Sequence, residues 1–164
     1  MRMKKLLGGV AIGLIALGGI GLGKTALAEE TSVEYAVDST YTLIIPQRVE
    51  LSSNSVTNMS IKTVNRNLEL GNTMEVTISS GLDADGEIKL ERSINPSDTL
   101  TSSVKVGGSL VPLSNPVVGE FSGYEMNEAE VGLIEFGIPQ GNKLAGTYTQ
   151  TLVFTAKQKM IPTR

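Results

Sequence analysis

Thr73-Met74-Glu75-Val76-Thr77-Ile78-Ser79 decides the fold. Met74, Val76 and Ile78 are apolar, and the residues between them are polar or charged. Side chains of an extended chain alternate between two faces, so this pattern gives one face to a core and one to water. In a helix Met74 and Ile78 would share a face and Val76 would lie nearly opposite, so no single face would be apolar. The pattern recurs along the chain. Ile88 and Leu90 alternate with Glu87, Lys89 and Glu91, and Val104 and Val106 with Ser103 and Lys105. Ile134, Phe136 and Ile138 alternate with Leu133, Glu135 and Gly137, and Leu152 and Phe154 with Thr151, Val153 and Thr155. One apolar and one polar face per strand is the mark of antiparallel sheets packed on one side.

Turn-forming residues break these runs at short intervals. Asp85-Gly86 predicts a tight hairpin between two alternating runs. Asn95-Pro96-Ser97-Asp98, Gly107-Gly108, Ser114-Asn115-Pro116 and Gln140-Gly141-Asn142 mark further turns, and residues 68–72 link two strands. The strands expected are 32–37, 41–45, 48–51, 58–64, 73–79, 87–92, 99–106, 109–112, 117–124, 132–138 and 147–156. A short helical turn is expected at Asn127 to Val131. Many short strands with regular turns predict an all-β fold, a single antiparallel Ig-like β-sandwich following an N-terminal signal peptide.

The signal is read from residues 1–28. Arg2, Lys4 and Lys5 precede an uncharged, glycine-rich apolar run from Leu6 to Gly23, and Ala26-Leu27-Ala28 follows it. A basic start, an apolar stretch and an Ala-x-Ala site are the features of a secretory signal peptide. Cleavage is expected between Ala28 and Glu29; a retained membrane anchor is the alternative. Contact with the membrane is then transient, through the signal peptide alone. The expected division is 1–28 signal peptide, 29–156 sandwich domain and 157–164 a short basic tail. The tail contains no LPxTG-like sorting sequence, so the expectation is a secreted, extracellular protein, released or held non-covalently at the cell wall.

Removing 28 of the 164 residues leaves 136, enough for one core. Four of the 14 cations leave with the signal, so ten remain against 17 acids and the mature net charge is −7. An acidic domain is repelled by phosphate backbones, which argues against nucleic acid as a partner. Cysteine and histidine are absent. Neither a Ser-His nor a Cys-His nucleophile can be built, and the usual zinc ligand sets are lost. The reading is therefore of a non-enzyme with no cofactor and no metal.

Three groups of residues are site candidates, each with a plainer role beside it. Glu125, Glu128 and Glu130 could supply a carboxylate pair for glycoside hydrolysis, but they lie in a polar segment that reads as a solvated loop. Asp83, Asp85 and Glu87 offer carboxylates to a calcium ion, but the set is incomplete and reads better as an exposed turn. Phe121 and Tyr124, flanking Gly123, are the aromatics least committed to a core phase and form the candidate contact patch.

Two segments carry a family resemblance. Tyr41-Thr42-Leu43-Ile44-Ile45-Pro46, continued by Arg48-Val49-Glu50-Leu51, opens the domain. Ala145-Gly146-Thr147-Tyr148, continued through Leu152, Phe154 and Thr155, closes it. Together they resemble the opening and closing strands of small exported Ig-like β-sandwich proteins of Firmicutes, surface and adhesin-type proteins of Gram-positive bacteria. The closing strand is also similar to those of some pilus-subunit domains. The tryptophan motif of WxL cell-wall-binding domains is absent. The resemblance implies location and architecture, not a ligand. Within it, Gly146 and Tyr148 are the structural motif, spaced as in a tyrosine corner or as an ordinary turn and strand.

The functional expectation is a cell-surface or secreted structural or adhesive protein. It would act by association with an extracellular protein, a cell-envelope component or itself. A soluble ligand-binding or inhibitory module is the alternative, and a carbohydrate-active enzyme is disfavoured. The segments expected to pair across an edge are Ser32 to Val37 and Thr147 to Ala156, the latter with Thr147, Thr149, Thr151 and Thr155 on its outer face.

Overall fold

A computed structural model describes residues 34–159. Residues 1–28, the expected signal peptide, and the last residues of the expected tail lie outside these. The chain divides after Tyr35. Glu34 and Tyr35, on the near side of that division, are exposed and belong to no strand.

From Ala36 onward the described residues form an antiparallel all-β sandwich of eleven strands. They are β1 (Thr40–Ile44), β2 (Thr57–Asn67), β3 (Thr73–Ser80), β4 (Glu87–Arg92), β5 (Asn95–Val106), β6 (Ser109–Leu110), β7 (Val117–Ser122), β8 (Tyr124–Glu125), β9 (Ala129–Phe136), β10 (Tyr148–Thr149) and β11 (Val153–Gln158). The larger sheet runs β1-β2-β9-β5-β4-β10, with β6 on β5 and β8 on β2; the smaller runs β11-β3-β7. The core between them holds Met59, Ile61, Val76, Ile78, Ile88, Leu90, Leu100, Val104, Val118, Phe121, Ile134 and Phe136. Val76, Ile78, Ile88, Leu90, Val104, Ile134 and Phe136 are the apolar phases of the alternating runs, buried because each strand has one face turned inward.

Several expectations need correction. Asp85-Gly86 is not a hairpin turn between paired strands, because β3 and β4 lie in different sheets. The hairpin partner of β4 is β5, and the turn between them is Ser93-Ile94, with Arg92 facing Asn95. Asn95–Asp98 is thus strand and not turn. No helical turn forms at 127–131. Ala129 and Glu130 already pair with Thr63 and Lys62 of β2, where ladder hydrogen bonds satisfy the backbone better than one isolated turn. Residues 34–37 and 48–51 are not strands; Ser32 and Val33 lie outside the described residues. The segment 147–156 is two strands, β10 on β4 and β11 on β3, with a switch of sheet between them. β11 extends to Gln158, two residues into the stretch read as tail, because Lys157 and Gln158 still pair with Glu75 and Met74.

A candidate binding cleft beside a free strand edge

The two sides of the sandwich differ. On one side β7 crosses close to β9, and glycines let the backbones meet. A Cβ on Gly119 would stand 2.9 Å from the Val131 carbonyl oxygen, so this side is closed. On the other side lies a cleft of about 690 Å³, between Pro46–Leu51 and the stretch from Thr147 to Phe154.

The first wall follows from Pro46. Pairing of β1 with β2 ends at Ile44, and Pro46, two residues on, has no N–H to extend the ladder. Among the described residues, no backbone–backbone hydrogen bond engages Gln47–Leu51. The segment is fixed at its far end by a turn. Ser52 N donates to Thr57 Oγ1 at 2.9 Å, and Ser52 Oγ accepts from the backbone of Asn54 and Ser55, each at 3.2 Å. Arg48 and Glu50 form an exposed ion pair at 3.0 Å on this wall.

The second wall is built by the sheet switch. Tyr148 Oη donates to the Leu144 carbonyl at 3.1 Å, four residues upstream, the bond that defines a tyrosine corner. Gly146, at φ 149°, sits in a conformation that side chains resist, and a Cβ there would lie 2.9 Å from Arg92 Nε. Arg92 donates to the Ala145 carbonyl and pairs with Asp98 at 2.9 Å, and Ser93 N donates to the Thr147 carbonyl at 2.9 Å. The corner is thereby pinned to the β4–β5 hairpin. The chain then leaves β4, passes Gly81 and joins β3. A Cβ on Gly81 would lie 2.9 Å from Leu152 Cδ2 and would collide with the Thr151 carbonyl oxygen, so only glycine allows this crossing. The switch also divides the expected threonine ladder. Thr147, Thr149 and Thr151 are exposed, whereas half-buried Thr155 donates to Ser79 Oγ at 3.1 Å.

The floor is apolar core: Ile88, Leu90, Leu100 and Phe136. Leu152 and Phe154 belong to the second wall and lead onto β11. Lys159 N donates to the Thr73 carbonyl at 2.7 Å, and the carbonyls of Val153 and Thr155 accept from Ser79 Oγ and Thr77 Oγ1. Odd-numbered residues therefore direct their backbone to β3, and Phe154, Ala156 and Gln158 direct theirs away from it. Among the described residues no strand pairs with that outer side.

The other candidates fall in different places. Phe121 and Tyr124 do not make one patch. Phe121 is 4% exposed and packs edge-on against Tyr41 with ring centroids 5.0 Å apart, under the Arg66 guanidinium; Tyr124 is 70% exposed. Three positions apart, they fall on opposite phases of an extended chain. Asp83 Oδ1 accepts the backbone N–H of Asp85 at 3.0 Å and of Glu87 at 2.9 Å, a turn closed on itself. The three glutamates are separately engaged: Glu130 accepts from Ser60 Oγ, Glu128 pairs with Lys62 at 2.6 Å, and Glu125 accepts from Asn127 N at 2.9 Å. Hydrogen bonds from Asn127 hold the Glu125 carboxyl below its ordinary pKa, and the Glu128 hydrogen bond and charge hold the Lys62 ammonium above its own. Sequence reading missed the cleft. Its one local signal is Pro46 after an alternating strand.

Comparison of the chain with protein-family models, curated proteins and solved structures found no match.

Proposed function

We propose that this is an exported β-sandwich protein that works at or beyond the cell surface by binding another macromolecule, without turnover. The observation that carries the reading is the apolar cleft beside the outer edge of β11, which no strand pairs among the described residues. Exposed strand edges are normally covered or blunted, because their free N–H and C=O groups accept any extended chain. An edge next to an apolar groove supplies both parts of strand addition: backbone hydrogen bonds for affinity and side-chain pockets for selectivity. Export is supported by the signal-like residues 1–28 and by the likeness of the opening and closing strands to exported Firmicutes sandwich proteins.

Expression of the full chain in an exporting host tests the first half. N-terminal sequencing of protein from the medium is expected to begin at Glu29, and recovery of the uncleaved chain only in membranes is the contrary result. Retention on purified cell envelope tests the second half, with Ala156→Pro as the probe. The Ala156 N–H faces away from β3, so proline removes an outward donor and leaves the β3 ladder intact. Retention is expected to fall while the circular dichroism spectrum stays unchanged.

A second reading is a module that binds a small apolar ligand, favoured by the cleft volume, which lies in the range of small-molecule sites. It predicts that Ala156→Pro leaves binding untouched.

A further inference from the structure

Residues 31–37 read Thr31-Ser32-Val33-Glu34-Tyr35-Ala36-Val37, which places Val33, Tyr35 and Val37 on one face of an extended chain. Tyr35 is 90% exposed and Val37 64% exposed, so this phase carries apolar groups that meet water. The outer edge of β11, without a pairing strand among the described residues, has the opposite need, a strand whose alternate side chains are apolar. We infer that the N-terminal arm of a second copy of this chain adds as an antiparallel strand to the outer edge of β11 and buries Val33, Tyr35 and Val37 in the cleft. The inference rests on the strand-addition reading above and names the occupant.

Length fits. Five residues from Val33 to Val37 span about 16 Å when extended, close to the length of six-residue β11. Charge fits as well. Residues 29–38 carry Glu29, Glu30, Glu34 and Asp38 and no cation, whereas the far end of β11 carries the exposed Lys157. With Val37 at the Gln150 end of the cleft, antiparallel addition brings Glu29 and Glu30 to the Lys157 end.

The attachment of the arm argues for a second copy over the chain's own arm. Ser39 Oγ accepts from Glu69 N at 3.0 Å, and Thr40 pairs with Asn67. The cleft begins at Pro46, at the other end of β1. Val37 stands two residues, about 7 Å at full extension, from Ser39, so within one chain it cannot cover the length of β1 to the cleft. The arm of a second copy has no such tether.

The chain contains no cysteine, so introduced thiols report the contact without background. Full-length Val37→Cys and Gln150→Cys proteins are exported separately, recovered from the medium and mixed with a short thiol crosslinker. A cross-linked pair containing one copy of each is expected. Sedimentation of the unmodified protein is expected to show concentration-dependent association, weakened at least about tenfold by Tyr35→Asp. Tyr35 is solvated, so that variant keeps the fold. Three results overturn the inference: a monomer at about 100 µM, a concentration that would detect even weak pairing; association unaffected by Tyr35→Asp; or cross-linking of the Val37→Cys/Gln150→Cys double variant within a monomer, which assigns the cleft to the chain's own arm. Envelope retention separates this from the wider reading. A monomer still retained through Ala156 means that a different partner occupies the edge, whereas loss of both activities removes strand addition altogether.

Discussion

Gly132 of β9 and Gly119 of β7 lie face to face where the two sheets close: a Cβ on Gly132 would stand 3.0 Å from Gly119 Cα and would collide with the Val118 carbonyl oxygen. Backbone cannot yield there as a flexible side chain would. Gly132→Ala is expected to cost about 3 kcal/mol, the upper part of the range for overpacking. The midpoint of urea unfolding reads this directly, and an unchanged midpoint would show that the strands do not approach so closely.

Tyr148→Phe tests the corner that forms one wall of the cleft. The variant keeps the ring and loses only the 3.1 Å bond to the Leu144 carbonyl. The expected cost is about 1 kcal/mol, read as a fall in Tm of about 3–5 °C. A Tm equal to that of the parent protein would make the tyrosine an ordinary packed ring.

Core substitutions test the alternation itself. Ile134 is fully buried, and Ile134→Ala is expected to cost about 2–5 kcal/mol by opening a cavity. Phe136→Asp puts an unpaired carboxylate in the same layer and is expected to abolish folding. Far-UV circular dichroism and chemical denaturation distinguish these outcomes from tolerance at both sites.

Lys159 ties the end of β11 to its sheet, pairing with Glu120 at 2.9 Å and Glu75 at 3.2 Å. The hydrogen bond to Glu120, then that to Glu75, holds the ammonium above its ordinary pKa of 10.5. A raised lysine contributes stability that is complete below the ordinary value and disappears as pH climbs through the raised one. The Tm difference between the parent and Lys159→Gln is therefore expected to be constant from pH 6 to about 9 and to shrink above the ordinary lysine value. It should also shrink in high salt, because the pair is solvent-exposed. A difference that grows with pH would contradict the pairing.

Asp83 holds its turn through two backbone N–H groups. Asp83→Ala is expected to lower stability by about 1 kcal/mol whether or not calcium is present. Millimolar calcium is expected to leave the Tm of the parent protein within about 2 °C, since a ligand that does not bind adds no linkage term. A large calcium-dependent rise, abolished by Asp83→Asn with Asp85→Asn, would reinstate a metal site.

The sequence by itself determined the all-β class and the inward-facing residues of the alternating runs. Val76, Ile78, Val104, Ile134 and Phe136 read as inward-facing from their spacing alone, because the two faces of a strand are fixed by local backbone geometry. It determined equally the chemistry that a chain without cysteine and histidine forgoes. Tertiary structure alone decided which strands pair. Asp85-Gly86 looks like a hairpin tip but connects two sheets, and Thr147–Ala156 looks like one strand but changes sheet at Gln150–Leu152. Phe121 looks free beside Gly123 but is held under Arg66 against Tyr41. The cleft belongs to the same class. Its floor comes from β4, β5 and β9 and its walls from residues a hundred positions apart, and alternation along a strand carries no information about which edge is left without a neighbour.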